Sequence, residues 1–142
     1  MTAPQRQAIV AEARSWLGTR YHHNARIKGV GVDCAMLLAE VFERVGMVAH
    51  VEPGDYPPDW HMHRSEELFL GWLQRCGARQ TGAPSPGDVA LFRFGRTFSH
   101  GAIVVDQDLQ MVHAYIDRGV ILSRPTEEPL AGRVCRYFTL VG

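Results

Sequence analysis

The chain is poor in cysteine, carries no net charge and contains no long apolar run. Cys34, Cys76 and Cys135 are its 3 cysteines, too few for a disulfide scaffold. No CxxC pair is present, which argues against a structural zinc site built on thiolates, and the odd count leaves at least one thiol free. Lys plus Arg is 15 and Asp plus Glu is 15, so the formal net charge is +0. A neutral chain lacks the electrostatic footprint that binding to nucleic acid or to an anionic membrane demands. No stretch approaches the roughly 18 apolar residues of a membrane span. The first residues, MTAPQRQAIVAEARSWLG, are amphipathic and charged throughout, without the apolar stretch of a secretory signal. Repeats and low-complexity segments are also missing.

What the chain does have is enough apolar residues to build a core. Its 142 residues, 46% hydrophobic, fit one domain spanning 1–142. Residues 4–17 read as a helix, with Ile9, Ala13, Trp16 and Leu17 on one face and Gly18 as its stop. Residues 18–32 read as a glycine-bearing loop. A second helix is expected over 33–45, capped by Asp33, with Cys34, Leu37, Leu38, Val41 and Val45 forming a core stripe. Residues 50–62 are too rich in Pro and Gly for regular structure, and a third helix follows Ser65 and runs to about Arg75.

From residue 84 the pattern changes. After the turn Pro84-Ser85-Pro86-Gly87-Asp88, five segments are rich in β-branched and aromatic residues: 89–94, 100–105, 111–116, 119–123 and 134–141. Short spacers between the middle three predict a meander of hairpins. Helices first and strands after predict an α+β fold, with N-terminal helices packed on a C-terminal antiparallel sheet.

Cys34 is the most informative residue. It falls in the first turn of an apolar helix behind a Gly-rich loop, where the helix dipole and unpaired N–H groups favour a thiolate. A thiolate attacks carbonyls, and backbone N–H groups near Cys34 are candidate oxyanion donors. The same position also suits a small buried hydrophobe. Cys76 and Cys135 read as structural. His100 opens an apolar strand and has the near-neutral affinity for protons that a general base needs. If 100–105 and 110–115 pair through the loop 106–109, then 105 opposes 110, 102 opposes 113 and 100 opposes 115. His100 and His113 then share a face as diagonal neighbours, close enough for one ring to fix the tautomer of the other. His22-His23, His50 and His61-Met62-His63 lack carboxylate or cysteine partners at metal spacing, so neither a metal nor a cofactor is expected.

These residues resemble a family. Gly18-Thr19-Arg20-Tyr21, Val32-Asp33-Cys34-Ala35, Ser85-Pro86-Gly87-Asp88-Val89-Ala90-Leu91-Phe92, Ser99-His100-Gly101-Ala102-Ile103-Val104 and Val112-His113-Ala114 follow one another as in the NlpC-type cysteine peptidases. That family comprises papain-like enzymes that cut the peptide stems of the bacterial cell wall. The resemblance covers nearly the whole chain. It implies a papain-like fold with the catalytic cysteine at a helix N-terminus. It assigns Cys34 as nucleophile, His100 as base and His113 as the residue that orients the base. Tyr21 matches a tyrosine that helps build the oxyanion hole, and Asp33 matches the acidic residue before the cysteine. The chain departs from the pattern in having Ala35-Met36 where Ser-Gly is usual, and in the small residues that follow His100.

The segment Tyr56-Pro57-Pro58-Asp59-Trp60-His61-Met62-His63-Arg64 is similar to a branch found in phage and gene-transfer-agent tails. That branch implies synthesis in the bacterial cytoplasm without a signal peptide, delivery to the wall by a tail, and tail-tip proteins as partners. Tyr56, Trp60 and Ser99 are candidates to line a substrate groove, and the implied substrate is a peptidoglycan stem peptide. The implied reaction is amide hydrolysis, of the D-glutamyl–diaminopimelate type. The alternatives are a catalytically silent tail protein that keeps the fold, or a zinc module built from the clustered histidines.

Overall fold

The computed structural model describes residues 1–49 and 68–140. Helix α1 spans Ala3–Arg14. Thr2 caps it: its hydroxyl accepts from the Gln5 N–H, and the Gln5 side chain returns the bond to the Thr2 N–H. The chain leaves the helix at Ser15 rather than at Leu17, and Gly18, with φ of +87°, turns it toward the sheet. The expected loop 18–32 contains a small hairpin, β1 (Arg26–Ile27) and β2 (Gly31–Val32), which the sequence reading did not anticipate. Two-residue strands carry too little apolar pattern to be read from sequence.

Helix α2 spans Cys34–Arg44, one residue inside each expected end. Its apolar stripe buries Leu37, Leu38, Val41 and Phe42 completely. Arg26 reaches from β1 to Glu40 and Glu43 and fastens the hairpin along this helix. Helix α3 spans Leu68–Arg75 and ends as expected before Gly77.

The main sheet has six strands in the order β3-β8-β4-β5-β6-β7. They are β3 (Arg79–Thr81), β4 (Val89–Phe94), β5 (Thr97–Val104), β6 (Met111–Tyr115), β7 (Gly119–Ser123) and β8 (Cys135–Thr139). The neighbours β5 to β7 form the expected meander, β4 extends it by one strand, and every pairing is antiparallel. β8 returns to pair with β4, and the polar strand β3 adds to its far side.

The helices lie on one side of the sheet, where Ile9, Trp16, Leu37, Leu38, Val41 and Phe42 pack with Val89, Leu91, Ile103 and Val112. A smaller cluster of Ala90, Phe92, Ala102, Val104, Met111 and Leu130 covers the other side. The turn before β4 is clamped to α1. Arg6 donates to Asp88 Oδ1 at 2.8 Å and to the Pro86 carbonyl at 3.0 Å, and Thr139 donates to the same carboxylate. Gly87 has φ of +97° and lies against the Arg6 backbone, where a Cβ would come within 3.3 Å of Arg6 Cα.

Candidate active site

The Cys34 end of the candidate site is set by how α2 starts. Asp33 is fully buried, and both of its oxygens serve the backbone. Oδ1 accepts from the Met36 N–H at 2.9 Å and caps the helix; Oδ2 accepts from the Asn24 N–H at 2.7 Å and ties down the preceding loop. His23 lies 3.9 Å from the same oxygen. Asp33 therefore shapes the turn that presents Cys34, and its carboxylate is occupied within the fold.

Cys34 is 6% exposed, and its sulfur lies 3.8 Å from the Ser99 carbonyl of β5. The helix-end donors expected from sequence are present: backbone N–H groups of Ala35 and Cys34 itself, joined by that of Gly101, draw the thiol toward ionisation. Burial outweighs them and, with the Asp33 charge alongside, pushes the thiol up to about 12. The helix end alone does not offset this burial, and the sequence shows the dipole but not the depth at which Cys34 sits.

The His100 end comes from the sheet. The pairs Ile103↔Val112 and Val104↔Met111 fix the register predicted from parity, and His100 and His113 share a face. His100 Nε2 and His113 Nδ1 are 2.9 Å apart, with the rings edge-on. His100 does not open its strand, as expected, but is its fourth residue. The register with β4 shifts between Phe92↔His100 and Arg93↔Phe98, which leaves Ser99 as the extra residue of a bulge. β5 begins at Thr97, three residues before the expected start. Ser99 meets Cys34 through its carbonyl, while its hydroxyl turns back toward the Phe94 carbonyl at 3.5 Å. Its backbone, rather than its hydroxyl, belongs to the site.

Cys34 thus lies against the short stretch of β5, Ser99 to Gly101, that carries His100. Tyr21 joins them. Its loop is stitched to α2's approach by the Val32 N–H on the Arg20 carbonyl and the His22 N–H on the Val32 carbonyl, each at 3.0 Å. The other end of that loop pairs with β7 through Gly18, Thr19 and Val120. Burial first, then the proximity of Cys34 and Asp33, raises the Tyr21 phenol well above its usual range, so it keeps its proton. Trp60 and Tyr56 lie outside the described residues.

Sequence reasoning missed three neighbours. Phe94 and Tyr115 stand 5.0 and 5.8 Å from the His100 ring, centre to centre, and Ser123 Oγ lies 2.9 Å from His113 Nε2. Tyr115 was available from the predicted pairing opposite His100. Ser123 needed only the same parity argument carried one strand further. His113 is completely buried, and burial first, with the charge of Arg118, lowers it to about 4, so it is neutral at physiological pH.

Among solved structures, the chain is similar to the NlpC/p60 domain of the peptidoglycan hydrolase SagA. The identity is 19%, with a TM-score of 0.61, over 92% of this chain and 96% of that one. It is also similar to a lipoprotein-like protein of the NLP/P60 family from Staphylococcus aureus subsp. aureus Mu50, at 17% identity and a TM-score of 0.62. That alignment covers 96% of this chain but 42% of the other, so this chain spans less than half of that protein. No curated protein matches. The model of the NlpC/P60 family matches residues 18–139, a span that runs from the Tyr21 loop through Cys34, His100 and His113 to the last strand. The chain belongs to the NlpC/P60 family.

Proposed function

We propose that the protein is a cysteine peptidase that hydrolyses amide bonds in the peptide stems of peptidoglycan. The observation that carries this reading is the convergence on β5. Cys34 Sγ lies against the backbone that flanks His100, and His100 is bonded to a neutral, buried His113. A thiol beside a base, with the base held by a third group, is the arrangement of nucleophilic acyl transfer. Membership of the family, and the likeness to a structure described as a peptidoglycan hydrolase domain, point to the cell wall as substrate.

The geometry supports the following chemistry. His100 uses Nε2 toward His113, so it exchanges its proton at Nδ1. A buried thiol with an affinity raised to about 12 ionises only with a proton acceptor at hand. His100 takes the Cys34 proton as the sulfur attacks the amide carbonyl. The Cys34 backbone N–H and the Tyr21 hydroxyl supply donors for the oxyanion. His100 then gives the proton to the leaving amine as the C–N bond breaks. Water, deprotonated by His100, hydrolyses the thioester and regenerates the thiol.

The resemblance further suggests cleavage between D-glutamate and diaminopimelate, and delivery of the enzyme by a phage or phage-like tail. Digestion of purified peptidoglycan by wild type and Cys34→Ser, read by mass spectrometry, tests the reading and names the bond. New muropeptides from wild type alone are the expected result. Identical, intact material from both proteins would leave a structural protein with a peptidase fold.

A further inference from the structure

Ser123 ends β7 and is 3% exposed. A hydroxyl buried that deeply is costly unless it is bonded, and its partner is His113 Nε2 at 2.9 Å. The register explains the meeting. His113 opposes Ile121, and Ser123, two residues on, shares that face as a diagonal neighbour. The same diagonal step brings His113 to His100 on the other side. One line of polar groups therefore crosses β5, β6 and β7.

The direction of the bonds in this line is fixed by the state in which His100 carries the extra proton. An imidazolium has N–H groups on both ring nitrogens, so His100 Nε2 must donate to His113. His113, being neutral, then presents its lone pair at Nδ1 and keeps its single proton on Nε2. That proton points at Ser123 Oγ. We propose that Ser123 is a positioning residue, which accepts the Nε2–H of His113 and so holds both histidines in the tautomers that leave His100 Nδ1 open to the Cys34 proton. Without the hydroxyl, His113 is free to place its proton on Nδ1. It would then donate to His100 Nε2 and force the His100 proton onto Nδ1, where it blocks the base.

This inference rests on the peptidase reading for its kinetic consequence, but not for its spectroscopic one. Two-bond 1H–15N spectra of histidine-labelled protein distinguish Nδ1–H from Nε2–H. Wild type should show His113 as the Nε2–H form, and Ser123→Ala should populate the Nδ1–H form. On a soluble stem-peptide fragment, Ser123→Ala should lower kcat about tenfold, the worth of one buried hydrogen bond, with KM unchanged. Ser123→Thr should restore both readouts. Ser123→Val, which matches Thr in shape but lacks the hydroxyl, should behave like Ala. An unchanged His113 tautomer in Ser123→Ala, or Thr and Val variants that behave alike, would overturn the proposal. If wild type cleaves nothing, the peptidase reading fails, and the tautomer of His113 in wild type and Ser123→Ala still decides the role of Ser123.

Discussion

The neutral His113 makes the fold sensitive to acid over a defined range. Its ring is completely buried, and its affinity for protons falls from 6.5 to about 4. In the unfolded chain the same ring titrates near its ordinary value. Above pH 6.5 both states hold it neutral, and its contribution to stability is fully present. Between pH 6.5 and about 4 the unfolded chain takes up a proton that the folded chain refuses, so stability falls as pH falls. At about 1.36 kcal/mol for each pH unit, this gap is worth about 3 kcal/mol, a large share of a typical domain's total. Urea denaturation, followed by tryptophan fluorescence at steps from pH 7.5 to 4, measures it. His113→Gln cannot titrate in this range, so its stability should fall by about 3 kcal/mol less than that of wild type over the same steps. Arg118→Gln should narrow the gap only slightly, because burial is the larger cause. Parallel curves for wild type and His113→Gln would refute the reasoning and mean that the ring is protonated in the fold.

Three other perturbations test the frame of the site. Gly119 has φ of +76°, and a Cβ there would sit 2.5 Å from the Thr19 carbonyl, so Gly119→Ala should cost about 2 kcal/mol or more in thermal or urea unfolding. Gly82→Ala, where a Cβ meets nothing within 4 Å, is the control that should show no such loss. Arg6→Ala strips the ion pair from a carboxylate that is 1% exposed, and should destabilise by about 3 kcal/mol. Combining it with Asp88→Asn should cost less than the two separate losses added, and strict additivity would show that the pair does not interact. Asp33→Asn removes the buried charge beside Cys34, and should shift iodoacetamide alkylation of Cys34 to lower pH while weakening the α2 cap by about 1 kcal/mol. An unmoved alkylation profile would show that the charge has no hold on the thiol.

Much of this architecture is legible in the sequence, because it follows local rules. The stripe Leu37, Leu38, Val41 sets α2, Asp33 announces its start, and period-2 parity alone places His100 and His113 on one face. The features that escape depend on distant partners. β3 reads Arg-Gln-Thr, a polar segment that becomes a strand only because β8 lies beside it. The bulge at Ser99 depends on β4, which supplies one residue fewer. The ionisation of Cys34 escapes for the same reason. Position at a helix end is written in the local sequence, whereas burial against β5 and the Tyr21 loop is a property of the assembled fold.

The loop that carries Tyr21 also has a consequence for solubility. β7 is the last strand of the sheet, and a bare outer strand invites pairing with another molecule. Here the Gly18 N–H bonds to the Val120 carbonyl at 3.0 Å, and the Val120 N–H bonds to the Thr19 carbonyl at 2.9 Å. Both backbone groups of Val120 on this outer side are thus taken by the chain itself. At the opposite margin, β3 is three residues long and largely exposed, with arginine and glutamine on it, a poor template for a foreign strand. The segment that positions a candidate oxyanion donor therefore also guards the sheet against self-association. A variant that frees the loop from β7 should lose activity and gain a tendency to aggregate in the same step.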